Sequence, residues 1–164
     1  MIISKIRHSE VGFTYKVKWA MPSHATFNIK PIKEFIRKHT VPGPILDLFP
    51  LPYEFDALEF IKNLPSNSQI NVRYDPIYSE RQQNEMYSIK GTNYKSHPEY
   101  FMALEEEIFR ITKPNAIVLK FMWNSKRIPG FENIDGLLVP HGGQHNDTIC
   151  TAWRKVQNDL GAFL

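Results

Sequence analysis

The sequence contains a single cysteine, Cys150, which excludes an internal disulfide. The thiol lies in the apolar-leaning run 148–153, and this predicts a small buried side chain in a reducing compartment. The chain also lacks the run of about 18 apolar residues that a membrane helix requires, and it lacks the apolar core of a secretion signal. We therefore expect a soluble cytoplasmic protein with no membrane partner, located in the host cytoplasm if a virus encodes it.

A strong excess of one charge is absent as well. Twenty basic and seventeen acidic residues give a net charge of +3, which permits a nucleic-acid partner without requiring one. Basic residues cluster at 30–39 and 120–127, and such clusters suit either solvated faces or contact with a polyanion. The hydrophobic content of 42% excludes global disorder, and the length predicts one compact domain over 1–164.

Three segments have the periodicity of amphipathic helices, namely 31–39, 56–64 with Asp56 as its cap, and 98–112. β-prone runs occur at 11–19, 69–74, 116–123, 136–140 and 147–156. The proline-bracketed run 44–52 suits a buried strand and an irregular loop equally. This alternation predicts a three-layer α/β sheet covered by helices on both faces, with the last two strands forming an antiparallel hairpin at the end of the sheet.

The sharpest motif is Asp75-Pro76-Ile77-Tyr78, directly after the strand at 69–74, where α/β sheets bind ligands. It resembles the D/N/S-P-P-Y/F/W motif of the S-adenosylmethionine-dependent methyltransferases that modify exocyclic amines of nucleic-acid bases. In that family the polar side chain and an adjacent carbonyl accept hydrogen bonds from the target amine, and the aromatic ring stacks on the flipped-out base. The resemblance implies these catalytic roles for Asp75, Pro76 and Tyr78, with Ile77, in place of the second proline, contacting the substrate.

Two further segments resemble parts of the same family that bind the cofactor. Lys30-Pro31, at the start of a predicted helix, resembles the Lys-Pro segment beside the methionine portion of S-adenosylmethionine, and a helix N-terminus suits a carboxylate. Asp56 resembles the acidic residue that accepts a hydrogen bond from the adenine amine of the cofactor. The residues implied in cofactor binding are Phe27, Ile29, Lys30, Pro31, Asp47, Asp56 and Ala57.

One element of the family pattern is missing. Such enzymes place a glycine-containing loop, D-P-F-x-G, after their first strand, so that the backbone can approach the cofactor closely. Here "ILDLFP" is either the remnant of that first strand, or Asp47 ends the next strand and holds the ribose hydroxyls. Both alignments imply a Rossmann-like methyltransferase sheet abbreviated in its cofactor-binding half by about one strand–helix unit, and a non-catalytic descendant stays open.

Further candidates for substrate contact are Trp123 and Asn124 after a predicted strand, Arg81 in the long segment after the tetrapeptide, and His141 and His145 in the loop of the predicted hairpin. Trp123 suits either a packed core or a pocket wall. The two histidines around a Gly-Gly turn make poor metal geometry, so no metal is predicted. The lone cysteine has no activating base, which argues against C5-cytosine methylation.

The sequence therefore predicts transfer of a methyl group from S-adenosylmethionine to the exocyclic amine of adenine in DNA. Methylation of cytosine N4 or of RNA, and a degenerate binding protein, are the alternatives. A chain of 164 residues has little room for a separate target-recognition domain. We expect a short recognition sequence, or specificity supplied by a homodimer or by segment 79–97.

Overall fold

The computed structural model describes residues 3–4, 15–23, 25–50, 55–76, 98–143 and 146–156. Its α-helices are α1 (Lys30–His39), α2 (Ala57–Lys62) and α3 (Pro98–Ile111), and a short 3-10 helix spans Thr26–Asn28. Its strands are β1 (Ile3–Ser4), β2 (Tyr15–Val17), β3 (Ile45–Asp47), β4 (Gln69–Tyr74), β5 (Thr112–Met122), β6 (Phe131–Val139) and β7 (Thr148–Lys155).

The strands form one open sheet in the order β1-β2-β6-β7-β5-β4-β3. β2, β6, β5, β4 and β3 run in one direction, whereas β7 is antiparallel to both of its neighbours. Five strands therefore end on the same side of the sheet. We call this side the carboxyl edge; the strands end there at Val17, Asp47, Tyr74, Met122 and Val139.

The predicted α/β sheet with helices on both faces and a C-terminal hairpin is confirmed. The position of the hairpin differs from the prediction, because β7 lies between β5 and β6 instead of ending the sheet. Six consecutive residues of β7, from Thr148 to Trp153, are buried. The backbone N–H and C=O groups of a fully buried strand need hydrogen-bond partners on both sides, and β5 and β6 provide them at this interior position.

The helices cover both faces of the sheet, as the alternation of helices and strands predicted. Ile32, Phe35 and Ile36 of α1 pack against a core that includes Phe121 and Cys150. Leu104, Ile108 and Ile111 of α3 pack on the other face with α2, around Val72 and Trp153. Cys150 is fully buried, as expected. No helix in the described ranges combines the length and apolar character needed to cross a membrane.

Local chemistry sets the ends of these elements. α1 begins beside Pro31, whose missing amide costs nothing in the first turn, and it ends at Thr40, ahead of Pro42. The predicted cap of α2 is confirmed, because Asp56 Oδ1 accepts a hydrogen bond from the Glu59 amide at 3.0 Å. The undecided run 44–52 begins as strand β3, which a turn closes where Asp47 Oδ1 accepts from the Phe49 amide at 3.0 Å.

Candidate functional site

The sheet topology gathers several of the predicted site residues at the carboxyl edge. Asp47 ends β3, Asp75 and Pro76 follow β4, and Trp123 and Asn124 follow β5. These three strands are adjacent, and neighbouring strands lie about 4.8 Å apart. Residues distant in sequence therefore meet at the place where open α/β sheets bind ligands.

Asp75 lies on the face of the sheet that α1 covers. Tyr74 pairs with Lys120 and Phe121 pairs with Cys150, so Asp75 falls in the row of Phe121 and Cys150. Burial raises the pKa of the Cys150 thiol well above its usual range, and the negative charge of Asp75 raises it further. The half-buried carboxyl group thus lies beside the α1 core, and the following Pro76 is buried.

Arg73 links two of the residues implied in cofactor binding. Its guanidinium lies 4.4 Å from the ring centre of Phe27 and forms an ion pair with Asp47, with 3.1 Å between Arg73 Nη2 and Asp47 Oδ2. Burial raises the pKa of Asp47, while the Phe49 amide and Arg73 act in the opposite direction. Sequence analysis did not single out Arg73; its position two residues before Asp75, on the same side of β4, was the available signal.

A groove of about 880 Å³ lies between α1 and the strands β3 and β4. Its lining combines cationic and apolar side chains, among them Phe27, Lys30, Lys33, Ile36, Arg37, Ile45 and Arg73. Of the residues implied in cofactor binding, Phe27 and Lys30 face this groove, whereas Ile29 and Pro31 are buried beneath the first turn of α1. The N-terminal end of α1 is therefore the part of the predicted cofactor site that the structure brings together.

Asp56 and Ala57 lie on the opposite face of the sheet from Phe27 and Lys30. Asp56 Oδ1 accepts from the Glu59 amide and, at 3.4 Å, from the Tyr100 hydroxyl, while Ala57 is fully buried in the α2–α3 core. Because α2 connects the carboxyl end of β3 with the start of β4, Asp56 remains near the carboxyl edge. No contact among the described residues joins it to Phe27 or Lys30.

The position of β3 favours one of the two alignments of "ILDLFP". In a doubly wound sheet of order 3-2-1-4-5-6, the first strand lies beside the fourth. β3 occupies that place beside β4, and in the described ranges no strand lies on its other side. β3 thus corresponds to strand 1 of that order. The part of the sheet described here has no strand at positions 2 and 3, whereas the sequence predicted the loss of about one strand–helix unit.

The remaining candidates differ in exposure. Trp123 is 54% exposed, so it does not pack in the core, and Asn124 Oδ1 accepts from the Lys126 amide at 3.1 Å. His141 is buried, with Nδ1 2.9 Å from the Ala20 carbonyl oxygen and Nε2 2.8 Å from Thr148 Oγ1. Both of its ring nitrogens are engaged within the chain, which leaves neither to contact a substrate in this conformation.

Ile77, Tyr78, Arg81 and His145 lie outside the described residues, so their predicted roles stay predictions. Within the described ranges, no three His, Cys, Asp or Glu side chains are grouped to hold a metal ion. Sequence analysis also missed Trp19, which follows β2 at the carboxyl edge and is 62% exposed. An aromatic residue at the end of the β-prone run 11–19 was the signal that pointed to it.

No family model and no curated protein sequence matches this chain. Its sheet is similar to two crystal structures of TTHA0409 from Thermus thermophilus, which bears the name "Putative DNA Modification Methylase", one of them a selenomethionine derivative. The sequence identities are 16% and 14%, and the TM-scores are 0.44 and 0.43. Each match covers 65% of this chain and 54% of the other, so the chain spans about half the length of these structures. A likeness of this strength does not specify an activity.

Proposed function

We propose that this chain transfers a methyl group from S-adenosylmethionine to the exocyclic amine of adenine in DNA. The observation that carries the proposal is the position of Asp75 and Pro76 at the carboxyl edge, directly after the parallel strand β4. The Asp75 carboxylate and the Pro76 carbonyl are the two acceptors for the amine. Tyr78 is the proposed stacking surface for the base, and Ile77 contacts it as well.

The residue types suit the chemistry of an aromatic amine. Its nitrogen shares a lone pair with the ring, and two acceptors for its hydrogens draw it toward a tetrahedral, more nucleophilic geometry. Asp75 lies in the row of Phe121 and Cys150, and such apolar surroundings strengthen a hydrogen bond to the carboxylate. A target base must leave the duplex to reach Asp75 and Pro76, which costs stacking and pairing energy. Stacking of the base on an aromatic ring offsets part of this energy.

The groove residues fit the anionic end of the cofactor. Arg73 Nε is buried and has no hydrogen-bond partner among the described residues, and Lys30 lines the same groove beside the first turn of α1. A carboxylate would satisfy these donors. S-adenosylmethionine, when bound, supplies a methyl group activated on a sulfonium. Phe27, Lys30 and Arg73 are the residues that would hold it from the α1 side, with Asp47 and Asp56 nearer the carboxyl edge.

The proposal is tested by incubating the chain with tritiated S-adenosylmethionine and unmethylated DNA. We expect labelled DNA from the wild type and from the control Glu106→Ala, which removes an exposed carboxylate on α3. Asp75→Ala should lower the labelling rate by roughly 100-fold, because it removes an acceptor of the amine. Unchanged labelling by Asp75→Ala overturns the site assignment. Nucleoside analysis of the product separates adenine from cytosine N4, and an RNA substrate run in parallel tests the remaining alternative.

A second candidate function is a non-catalytic protein that keeps a ligand or nucleic-acid surface. The outermost position of β3 in the described part of the sheet, together with the missing D-P-F-x-G loop, favours it. Calorimetry with S-adenosylmethionine distinguishes the two functions. Cofactor binding without label on either nucleic acid supports the binding protein, whereas binding with label supports the methyltransferase.

A further inference from the structure

Two tryptophans and a methionine are exposed at the carboxyl edge. Trp19 is 62% exposed, Met21 68% and Trp123 54%, whereas Trp153 is buried in the core. Soluble proteins seldom leave several large apolar side chains exposed along one edge unless that edge binds a partner. We call the two tryptophans, Trp19 and Trp123, together with Met21 close to Trp19 in the chain, the aromatic edge.

Trp19 is held in place by the backbone on both sides of it. The Lys18 amide donates to the Leu138 carbonyl at 3.0 Å, and the Ala20 amide donates to the Pro140 carbonyl at 3.2 Å. The buried His141 ring contacts the Ala20 carbonyl at 2.9 Å. The backbone at Trp19 is therefore already ordered, which lowers the entropy cost of binding a ligand at this residue.

The indole of Trp19 lies beside a pair of glycines. Gly142 and Gly143 have φ of +71° and +61°, and a Cβ atom at Gly142 would lie 3.5 Å from Trp19 Nε1. A Cβ at Gly143 would meet no heavy atom of the described residues within 4 Å. The indole therefore lies close to the backbone of Gly142, where an added Cβ would be in van der Waals contact with it.

The strand order gives the spacing of the aromatic edge. Trp19 follows β2 and Trp123 follows β5, three strand spacings or roughly 14 Å apart. Asp75 follows β4, which is the direct neighbour of β5. The carboxyl ends of β4, β5 and β2, which precede Asp75, Trp123 and Trp19, thus lie in this order along the sheet, and an extended strand of a few nucleotides can reach from one to the next.

Two cationic side chains follow Trp123 in the chain. Lys126 and Arg127 are exposed in the connection that follows Trp123, and neither side chain forms an ion pair with a carboxylate of the described residues. Aromatic surfaces interspersed with cations are typical of sites for single-stranded nucleic acid, where the rings stack on bases and the cations contact phosphates. In a duplex the faces of the bases are stacked on each other and cannot reach an indole.

We propose that the carboxyl edge binds single-stranded DNA, with Trp19 and Trp123 stacking on two unpaired bases and Lys126 and Arg127 contacting the phosphates between or beside them. The inference rests on the proposed function and names its substrate class as unpaired DNA. Stacking on an indole tolerates every base, so binding has little sequence preference.

The test measures fluorescence anisotropy of a labelled oligothymidylate and of a duplex of equal length with the full chain and no cofactor. We expect at least tenfold tighter binding of the single strand. Trp19→Ala and Trp123→Ala should each raise the Kd for the single strand roughly tenfold. Trp19→Phe should keep it within about threefold, because a smaller ring still stacks. Met102→Ala, which removes an equally exposed apolar side chain from α3, should leave it unchanged.

Equal affinity for duplex and single strand, or an unchanged Kd in both alanine variants with unaltered circular dichroism, overturns the inference. The result is separable from the methylation test because no cofactor is present. A chain that binds the oligothymidylate through Trp19 but labels no DNA supports this inference and contradicts the proposed activity. If the Trp19→Ala variant labels duplex DNA at the wild-type rate, the result supports the proposed activity and contradicts this inference.

Discussion

At the scale of single residues, Asp135 shows how one carboxylate joins two elements. It accepts hydrogen bonds from Lys38 Nζ at 2.6 Å, His39 Nε2 at 2.8 Å and the Gly136 amide at 2.9 Å, and so ties the end of α1 to β6. Burial alone would raise the pKa of Asp135, but these three donors together lower it. The ionised carboxylate is thus the form that stabilises the fold.

We predict that Asp135→Asn lowers the free energy of unfolding at pH 7 by about 1 kcal/mol, a modest value because Lys38 is largely exposed. A carboxyl whose pKa is lowered on folding stabilises the protein above its unfolded pKa, about 4, and loses that contribution as the pH falls toward the folded pKa. Thermal unfolding should therefore show a smaller difference between variant and wild type at pH 3 than at pH 7. A difference of equal size at both values would contradict this.

At the scale of elements, a buried ion pair joins α3 to β5. Lys120 Nζ donates to Glu105 Oε1 at 3.2 Å and to the Lys126 carbonyl at 3.0 Å, and the two side chains are 2% and 7% exposed. Burial lowers the pKa of Lys120 and raises that of Glu105, while each partner opposes the shift of the other. Removing one partner leaves the second charge buried without compensation.

We predict that Lys120→Met lowers the free energy of unfolding by about 3–5 kcal/mol, and that adding Glu105→Met restores part of the loss. Urea unfolding of both single variants and the double variant measures this coupling as a double-mutant cycle. Lys62→Met is the matched control, because the Lys62–Glu59 pair on α2 is exposed and should change stability by less than about 1 kcal/mol. Additive losses in the cycle would show that the buried charges do not depend on each other.

At the scale of the whole molecule, the proposed cofactor groove beside β3 would couple stability to S-adenosylmethionine. A ligand that binds only the folded state stabilises it by about 2.7 kcal/mol at 100 times its Kd. We therefore predict that saturating S-adenosylmethionine raises Tm by roughly 5–10 °C. Lys30→Gln should reduce that rise, whereas Lys113→Gln, at the opposite end of the sheet, should not.

Differential scanning fluorimetry with increasing cofactor concentration measures this effect. A wild-type Tm that does not move at millimolar cofactor would mean that the abbreviated half of the sheet no longer forms a cofactor site. That outcome would favour the non-catalytic candidate function.

The sequence by itself determined the features that depend on neighbours along the chain. The apolar faces of α1 and α3, the Asp56 cap and the hairpin of β6 and β7 follow from helical or strand periodicity and from local hydrogen bonding. The position of Asp75 and Pro76 directly after β4 was predicted for the same reason.

Only the tertiary structure decided the features that depend on which strands become neighbours. Three such features are the insertion of β7 between β5 and β6, the contacts of Arg73 with Phe27 and Asp47, and the position of Trp19. Each depends on contacts between segments that are distant in sequence, and the backbone beside Trp19 pairs with residues more than a hundred positions away. Strand pairing depends on which faces of the whole sheet become buried, and the local sequence pattern does not specify this. The chain's own periodicity therefore specifies its elements, while the packing of those elements against one another specifies its candidate site.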